Sequence, residues 1–331
     1  MTKFIFITGG VVSSLGKGIV SSSIASLLTL CKYKVRIRKL DPYLNIDPGT
    51  MNPSQHGEVF VTDDGAETDM DLGHYERFTG IMSKKSDNIT TGKIYSEVLK
   101  KERRGDYLGS TVQVIPHVTD EIKKFIKKDL SNEDFVICEI GGTVGDIESL
   151  PFLEAIRQLR NELGKSKTLF IHLTLVPFLS SSNEFKTKPT QHSVKELLGL
   201  GIQPDLLLCR TERKFDKKAK EKISLFCNTL LDSVILVENA KTIYEIPLKL
   251  HKQGILKQVF THLNMNQNRN INLKLWEDFL DKFNKLKNFV SVAIVGKYTN
   301  LSESYKSLNE ALFHSGIFNN TRVEIKWVDS K

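Results

Sequence analysis

GGVVSSLGKG, residues 9–18, follows a short apolar run and leads into a serine-rich segment that continues to Leu30. A strand that enters a glycine-rich turn and leaves as a helix surrounds an anion with backbone N–H groups, and Lys17 adds a positive charge for the β- and γ-phosphates of a nucleotide. The loop counted from Gly10 is one residue longer than the pattern G-x-x-x-x-G-K-[S/T], and Gly18 replaces the hydroxyl residue that normally contacts Mg²⁺. The stretch therefore predicts a P-loop-type nucleotide site whose metal ligands come from elsewhere in the chain.

Short apolar runs alternate with amphipathic segments over the first 260 residues. Several of the runs are continuous and do not alternate with polar residues, which is typical of a parallel sheet covered by helices on both faces. The pattern predicts an α/β fold with an open, doubly wound, mostly parallel sheet. The predicted strands are residues 4–8, 35–40, 135–140, 169–176, 206–209 and 234–237, and the predicted helices are residues 18–30, 118–130, 150–163 and 193–200.

Residues 41–109 interrupt this alternation. They are rich in Asp, Gly, Pro, His and Thr and show little periodicity. A long irregular segment inside a compact domain is usually functional. We therefore expect an irregular, functional segment here.

The chain changes character after residue 260. Residues 261–272 are polar and Asn-rich, which predicts a linker. Residues 273–286 carry apolar side chains at helical spacing, which predicts a packing helix whose packed face holds Leu275, Trp276, Phe279, Phe283 and Leu286. A strand, a helix and a strand are then predicted at residues 290–295, 303–314 and 323–328. Because roughly 40 residues cannot bury a core of their own, we expect the incomplete start of a second α/β domain that is poorly stable or docked on the first. The predicted division is 1–260, 261–289 and 290–331.

The composition is that of a soluble globular protein, with 40% hydrophobic and 26% charged residues and a net charge of +8. No apolar run approaches the roughly 20 residues of a membrane span, and the N-terminal run is too short for a signal peptide. We therefore expect a cytoplasmic protein with no membrane partner. The lysines lie mostly on helix-like polar faces, so a solvated surface explains them better than a nucleic-acid partner does.

The four cysteines do not indicate a zinc site, a disulfide framework or a nucleophile. None forms a C-x-x-C pair, and none stands in the glycine-flanked setting of a nucleophile elbow. Cys138 and Cys209 lie inside strand-like apolar runs, which predicts buried thiols.

Two carboxylates are candidates for the metal ligands that Gly18 cannot supply. Glu139 ends a predicted strand just before two glycines, like the acid that ends a Walker B strand, and Asp71 lies in the acidic run of residues 63–71. Mg²⁺ prefers one or two carboxylates together with phosphate oxygens and water. From spacing alone, Asp71 is equally consistent with a solvated acid in an acidic loop.

Two groups of basic residues are candidates for binding phosphate. Lys39 ends the second predicted strand, and ligands of open α/β sheets bind at the carboxyl ends of the strands. A lysine there could neutralise charge in a transfer step, although a surface lysine fits the spacing equally. Residues 186–191, KTKPTQ, combine two lysines with hydroxyls and an amide, which fits a second anion site or a polar loop.

These segments together resemble the CTP synthase family. The resemblance is dense over residues 1–260 and looser beyond, and motifs of this length are highly specific. It is carried by residues 7–18 (ITGGVVSSLGKG), 39–43 (KLDPY), 47–51 (DPGTM), 55–61 (QHGEVFV), 71–78 (DLGHYERF), 139–149 (EIGGTVGDIES) and 186–191. The fold that it implies is a P-loop-type sheet like that of dethiobiotin synthetase.

The resemblance implies an enzyme that makes CTP from UTP: ATP phosphorylates O4 of the uracil ring, and ammonia displaces the phosphate. It places the γ-phosphoryl group near Lys17 and Lys39, which are the catalytic candidates, and Mg²⁺ on Asp71 and Glu139. The residues implied to bind ATP are Ser14, Leu15, Gly16, Lys17, Gly18, Ile19, Asp71, Glu238, Asn239 and Ala240. The last three depart from the family's basic-acidic-aliphatic pattern, so their contacts are expected to be main-chain. The residues implied to bind UTP or inhibitory CTP are Ser13, Asp146, Ile147, Glu148, Lys186, Thr187, Lys188, Pro189, Thr190, Gln191 and Lys222.

Further partners are implied by the resemblance alone. The family is tetrameric and is regulated by CTP as inhibitor and GTP as effector. Its second domain is a class I glutaminase that uses a Cys-His-Glu triad to supply ammonia. Residues 290–331 resemble the beginning of that domain without the triad, so we expect this chain to use free ammonia but not glutamine.

Two other interpretations stay open on the residues alone. A partition ATPase of the ParA or MinD type, or another amidoligase on the same fold, shares the strand–loop–helix opening, but a partition ATPase has no reason to carry residues 41–57 and 186–191. A non-catalytic subunit that binds nucleotide and oligomerises would not need to keep Lys17, Asp71 and Glu139 together. The absence of a complete glutaminase domain favours that second alternative weakly.

Overall fold

The computed structural model describes residues 1–214, 216–266 and 270–330. Its strands belong to one large sheet and three two-stranded pairs. In chain order they are β1 Lys3–Gly9, β2 Val35–Asp41, β3 Val59–Val61, β4 Glu67–Asp69, β5 Asn88–Thr90, β6 Phe135–Ile140, β7 Thr168–Leu175, β8 Phe178–Leu179, β9 Glu184–Phe185, β10 Leu206–Thr211, β11 Val234–Glu238, β12 Asn288–Gly296 and β13 Thr321–Asp329.

The helices connect these strands and cover the large sheet. They are α1 Lys17–Leu30, α2 Pro53–His56, α3 Asp71–Thr79, α4 Thr91–Arg104, α5 Thr119–Lys127, α6 Leu150–Leu163, α7 Lys188–Gly199, α8 Lys217–Phe226, α9 Ile246–Lys252, α10 Ile255–His262, α11 Lys274–Asn284 and α12 Lys306–Phe318.

The large sheet has seven strands in the order β11-β10-β7-β1-β6-β2-β5, and all its neighbours pair in parallel. β1 is the central strand, with β6, β2 and β5 on one side and β7, β10 and β11 on the other. Residues on both faces of β1 and β6 are buried, which explains why these strands are continuous apolar runs. The predicted doubly wound α/β fold is confirmed.

Each face of the sheet has its own apolar core. One core packs α1, α9 and α10 against the sheet through residues such as Ile24, Leu28 and Leu250, and the other packs α5 and α6 through residues such as Ile122 and Leu159. Burying one such aliphatic side chain contributes about 1.5–3 kcal/mol. The serines of α1 are buried as well, and those at positions 22 and 23 donate to carbonyls one turn back, whereas the hydroxyl of Ser21 is buried without a hydrogen-bond partner.

The prediction that residues 41–109 are irregular is wrong for much of their length. They contain α3, α4, the antiparallel pair β3–β4 and the edge strand β5, which pairs with β2 at Lys39–Asp41. Strands of three residues are too short to show a period, and α4 is a mostly polar helix whose few buried residues include Ile94 and Val98. Sequence pattern alone therefore missed the seventh strand of the sheet.

The polar-loop interpretation of residues 188–191 is also wrong. Helix α7 begins at Lys188, not at residue 193, so these residues form its first turn, with Pro189 in that turn. Proline is favoured there because the first N–H groups of a helix have no intrahelical partner. Only Lys186 and Thr187 of the candidate anion site precede the helix.

The residues after 273 form a helix, α11, and then a small unit in which β12 and β13 pair in parallel beside α12. This small unit contacts the part of the chain that forms the large sheet: the Tyr244 hydroxyl donates to Glu310 at 2.7 Å, and the Ser307 amide donates to Glu58. The predicted packing helix is present, but Leu275 is 77% exposed, so it was wrongly placed on the packed face. Three residues of the predicted linker, 267–269, lie outside the described residues, and the division into domains stays a prediction.

Among the described residues, the helices are all too short or too polar to cross a membrane. The four cysteines are buried, as predicted for Cys138 and Cys209. Burial raises the pKa of the Cys138 thiol to about 12, so that thiol is not a nucleophile near neutral pH.

Candidate active site

The glycine turn between β1 and α1 has the backbone geometry of an anion cradle. Val11, Ser14 and Gly16 all have positive φ, at 80°, 53° and 96°. A β-branched residue such as Val11 rarely adopts this conformation, and such backbone strain is concentrated at functional sites. The turn thus holds a conformation that its sequence does not favour locally.

Lys17 folds back over this turn. Its Nζ donates to the carbonyl of Gly142 at 2.7 Å. A Cβ at Gly9 would lie 2.8 Å from Lys17 Cδ, so the glycine makes room for the lysine stem. Burial lowers the pKa of Lys17, while the carboxylates of Glu139 and Asp71 oppose that shift.

Gly18 is the position where the sequence departs from the phosphate-loop pattern, and the structure explains why. A Cβ built there would lie 2.1 Å from Oδ1 and 2.6 Å from Cγ of Asp71. The carboxylate of Asp71, at the start of α3, occupies the space that a serine or threonine side chain would need. The residue predicted as a metal ligand therefore lies where the missing hydroxyl would be.

Lys39 lies at the centre of a group of four carboxylates. Its Nζ contacts Asp71 Oδ2 directly, lies 3.0 Å from Glu139 Oε1, and is 3.8 Å from both Asp41 and Asp69. The β2–β6 register makes Lys39 and Glu139 direct partners on neighbouring strands. The site thus brings Lys39 and Asp71, which spacing alone left undecided, together with Glu139, and Lys39 is not a surface lysine.

The charges of this group strongly affect one another. Burial lowers the pKa of Lys39, but the four carboxylates outweigh burial and hold that pKa well above its usual value. Burial and the neighbouring Asp71 raise the pKa of Glu139 to about 7, against the opposing effects of Lys39 and Tyr75. Burial likewise raises the pKa of Asp41 to about 7. The group carries a surplus of negative charge that a further cation would relieve.

The donor set fits Mg²⁺. Two carboxylates, Asp71 and Glu139, converge on Lys39 Nζ beside the glycine turn, and oxygen is the ligand atom that Mg²⁺ prefers. Among the described residues, no three or more His, Cys, Asp or Glu side chains are arranged to hold a metal by themselves. The remaining ligands of an ion held here would be phosphate oxygens and water.

A cavity of about 280 Å³ opens beside the turn, where β10 and β11 end. Two segments predicted to bind ATP line it together, Leu15–Gly16–Ile19 and Glu238–Asn239–Ala240. Arg210, which the sequence did not indicate, lines the same cavity and donates to the carbonyl of Ser14 at 3.0 Å. The assignment of this cavity to adenine stays a prediction.

Helix α7 is joined to the glycine turn through a buried polar chain. His172 on β7 contacts Thr8 Oγ1 through Nδ1 at 2.9 Å and Ser193 Oγ through Nε2 at 2.8 Å. A Cβ at Gly10 would lie 1.6 Å from Ser193 Oγ, so the turn and the helix touch. These hydrogen bonds link the P-loop-type turn to the helix that begins at Lys188.

The remaining candidates for binding UTP or CTP are mostly exposed near these elements. Ser13 and residues 146–148 are exposed, and Asp146 accepts from the Thr143 amide at 2.9 Å beyond the end of β6. Lys186 pairs with Glu184, and the exposed Lys222 on α8 acts on the same carboxylate. Thr187 and Thr190 are buried, whereas Lys188 is exposed and Pro189 and Gln191 are partly buried. Their roles in binding stay predictions.

Several residues of the site carried too weak a signal to be found in the sequence. Tyr75 donates to Glu139 Oε2 at 2.5 Å, and His56 Nε2 lies 3.4 Å from Asp69 Oδ2. Tyr75 lies one helical turn after Asp71, a spacing that puts both on one face of α3. That spacing was the only available signal for it.

Comparison with known proteins gives a family. A family model described as CTP synthase N-terminus matches residues 3–265. Proteins named CTP synthase from Rhodospirillum rubrum and Paramagnetospirillum magneticum are each 62% identical over 331 residues, which is all of this chain and 61% of each relative. One from Pelagibacter ubique is 61% identical and 62% covered. The chain spans about three fifths of the length of these relatives.

One solved structure shows a much weaker likeness. A plasmid partition protein from Borrelia burgdorferi bound to AMPPNP is 11% identical, with a TM-score of 0.36 over 77% of this chain and 99% of that chain.

Proposed function

The chain belongs to the CTP synthase family, and from that premise we propose that its 331 residues carry the synthetase reaction, the ATP-dependent amination of UTP by ammonia. The observation that supports this most strongly is Lys39 among Asp71 and Glu139, directly beside the glycine turn that carries Lys17. Phosphoryl transfer needs two polyanions in line and their charge neutralised, and no nucleophilic side chain. The buried, weakly acidic thiols fit that requirement.

The proposed chemistry has two steps. Oxygen O4 of UTP attacks the γ-phosphorus of ATP while N3 of the ring loses its proton, a P–O bond forms, and the bond to ADP breaks. Ammonia then attacks C4 of the ring, the C4–O bond breaks, and phosphate leaves while the nitrogen loses a proton. Amide oxygen is a poor leaving group, and the first step turns it into a good one.

The residues divide this work. Residues 14–19, with the N-terminus of α1, would cradle the phosphates of ATP, with Lys17 on the β- and γ-phosphates. The cavity at Glu238–Ala240 would take the adenine, and Lys39 would move from its carboxylates to the transferring phosphoryl group. Asp71 and Glu139 would hold Mg²⁺, which supplies charge neutralisation on the phosphates. UTP would lie over Ser13, residues 146–148, the start of α7 and Lys222.

The wider properties implied by the family resemblance belong to this proposal too. They are assembly as a homotetramer, inhibition by CTP, activation by GTP, and a place in the cytoplasm. The nitrogen donor that we propose for these residues, taken by themselves, is free ammonia. That glutamine cannot replace ammonia stays a prediction.

The test is CTP formation from UTP and ATP with ammonium chloride and Mg²⁺, run beside Lys17→Ala and with glutamine in a parallel arm. We expect ammonia-dependent CTP that Lys17→Ala abolishes. ATP and UTP binding without CTP would contradict the proposal and favour a non-catalytic nucleotide-binding subunit.

A further inference from the structure

Helix α3 presents two side chains, from one face, to the cluster of four carboxylates around Lys39. Asp71 at its start fills the space beside Gly18, and Tyr75, one turn later, donates to Glu139 Oε2 at 2.5 Å. Tyr75 is 2% exposed and Glu139 is 1% exposed, so water does not compete for this hydrogen bond. One helix therefore supplies one of the two carboxylates and contacts the other.

The two oxygens of Glu139 have different partners. Oε2 accepts from Tyr75, while Oε1 lies 3.0 Å from Lys39 Nζ, which Asp71 Oδ2 also contacts. The divalent cation of the proposed function would take this cation position between Asp71 and Oε1. A phenol has one proton and a carboxylate accepts only, so Tyr75 must be the donor. The hydrogen bond keeps Oε2 turned away from the cation position and leaves Oε1 facing it.

Packing does not explain the hydroxyl. The ring of Tyr75 belongs to the apolar core that holds α1 against the sheet, and a phenylalanine ring would fill that core equally. A buried hydroxyl is costly to hold without a partner, and here the partner is the candidate ligand itself.

We propose that Tyr75 is a positioning residue that orients Glu139 to bind Mg²⁺ through Oε1 alone. This inference rests on the proposed function, because it needs a divalent cation between Asp71 and Glu139. Residues that orient a metal ligand by hydrogen bonding typically change metal affinity about 10–100-fold when they are removed.

The experiment measures Mn²⁺ affinity by electron paramagnetic resonance in the presence of a non-hydrolysable ATP analogue. The proteins are the parent chain, Tyr75→Phe, and Tyr95→Phe, whose ring packs on the opposite core. We expect Tyr75→Phe to bind Mn²⁺ about 10-fold more weakly or worse, with the metal-free affinity for the analogue unchanged and Tyr95→Phe like the parent. Mn²⁺ affinity of Tyr75→Phe within twofold of the parent overturns the inference.

A second comparison guards against a general loss of structure. If Tyr75 acts through Glu139, then Tyr75→Phe weakens Mn²⁺ binding no further in a Glu139→Gln background, whereas an independent structural effect adds in full and overturns the inference. Mn²⁺ binding by the parent chain distinguishes a failure of the proposed function from a failure of the role of Tyr75. If the parent itself binds no Mn²⁺ with the analogue, the metal site of the proposed function fails, and Tyr75 with it.

Discussion

Restoring the usual phosphate-loop residue at position 18 should inactivate the protein. Gly18→Ser recreates the G-K-S sequence of ordinary P-loops, in which the hydroxyl contacts Mg²⁺. In this fold, the added Cβ would lie 2.1 Å from Asp71 Oδ1, about 1.3 Å inside the 3.4 Å at which ordinary contact begins. Either α1 or the Asp71 carboxylate must move by that amount.

The expected loss of activity depends on whether α1 or the Asp71 carboxylate moves. Gly18 is in the first turn of α1, which packs on the sheet, whereas Asp71 is a side chain partly exposed at the start of α3. We expect the carboxylate to be displaced and to take the cation position with it. A 1 Å misplacement of a reacting group costs about 10²-fold in rate, so we expect CTP formation to fall by at least about 10²-fold.

The assay combines CTP formation with thermal unfolding, for Gly18→Ser, Gly18→Ala and the control Gly199→Ala. Gly199 ends α7 with no heavy atom within 4 Å of a built Cβ, so that variant should keep full activity. In an Asp71→Ala background, the destabilisation by Gly18→Ala should largely vanish, because the atoms it meets are gone. Full activity of Gly18→Ser, or equal destabilisation in both backgrounds, would refute the reasoning.

Three more predictions follow from single contacts. Burial, aided by Lys17, lowers the pKa of His172 to about 3, whereas an unfolded histidine titrates near 6.5. Between those pH values the unfolded chain binds an extra proton, so the free energy of unfolding falls by about 1.4 kcal/mol for each pH unit as the pH falls. His172→Gln should remove that part of the slope in urea titrations at pH 4–6. Arg210→Ala should raise the KM for ATP several-fold and leave the KM for UTP unchanged, since Arg210 lines the cavity beside Ser14; equal changes in both would contradict this. Tyr244→Phe should destabilise the protein by about 1–3 kcal/mol by removing a buried donor to Glu310, and hydrogen exchange should rise in α12; an unchanged exchange pattern there would contradict the docking.

The sequence was sufficient for the elements whose signals are local. The strand–turn–helix around Lys17 and the position of Glu139 at a strand end follow from apolar runs and glycines, because parallel strands bring their carboxyl ends to one edge. The edge strand β5 was missed because three residues carry no period. Leu275 was misplaced because helical spacing indicates a face but not what that face meets.

The contacts that make the site could not be derived from spacing. Gly18 and Asp71 touch although α3 lies far along the chain, and only the packing of α3 on α1 brings them together. The same holds for Lys39 and Glu139, whose pairing depends on β6 lying next to β2 despite the elements between them in sequence. The chemical types of these residues indicated a phosphate and metal site, and the tertiary fold decides which of them meet.

The most direct test of the proposed reaction follows one oxygen atom. The chain, ammonium chloride, Mg²⁺ and ATP are incubated with UTP labelled with ¹⁸O at O4, and the inorganic phosphate is examined by ³¹P NMR or mass spectrometry. If O4 is phosphorylated before ammonia displaces it, the label leaves with phosphate, one ¹⁸O for each CTP formed. CTP formation with unlabelled phosphate and the ¹⁸O in water would contradict the account.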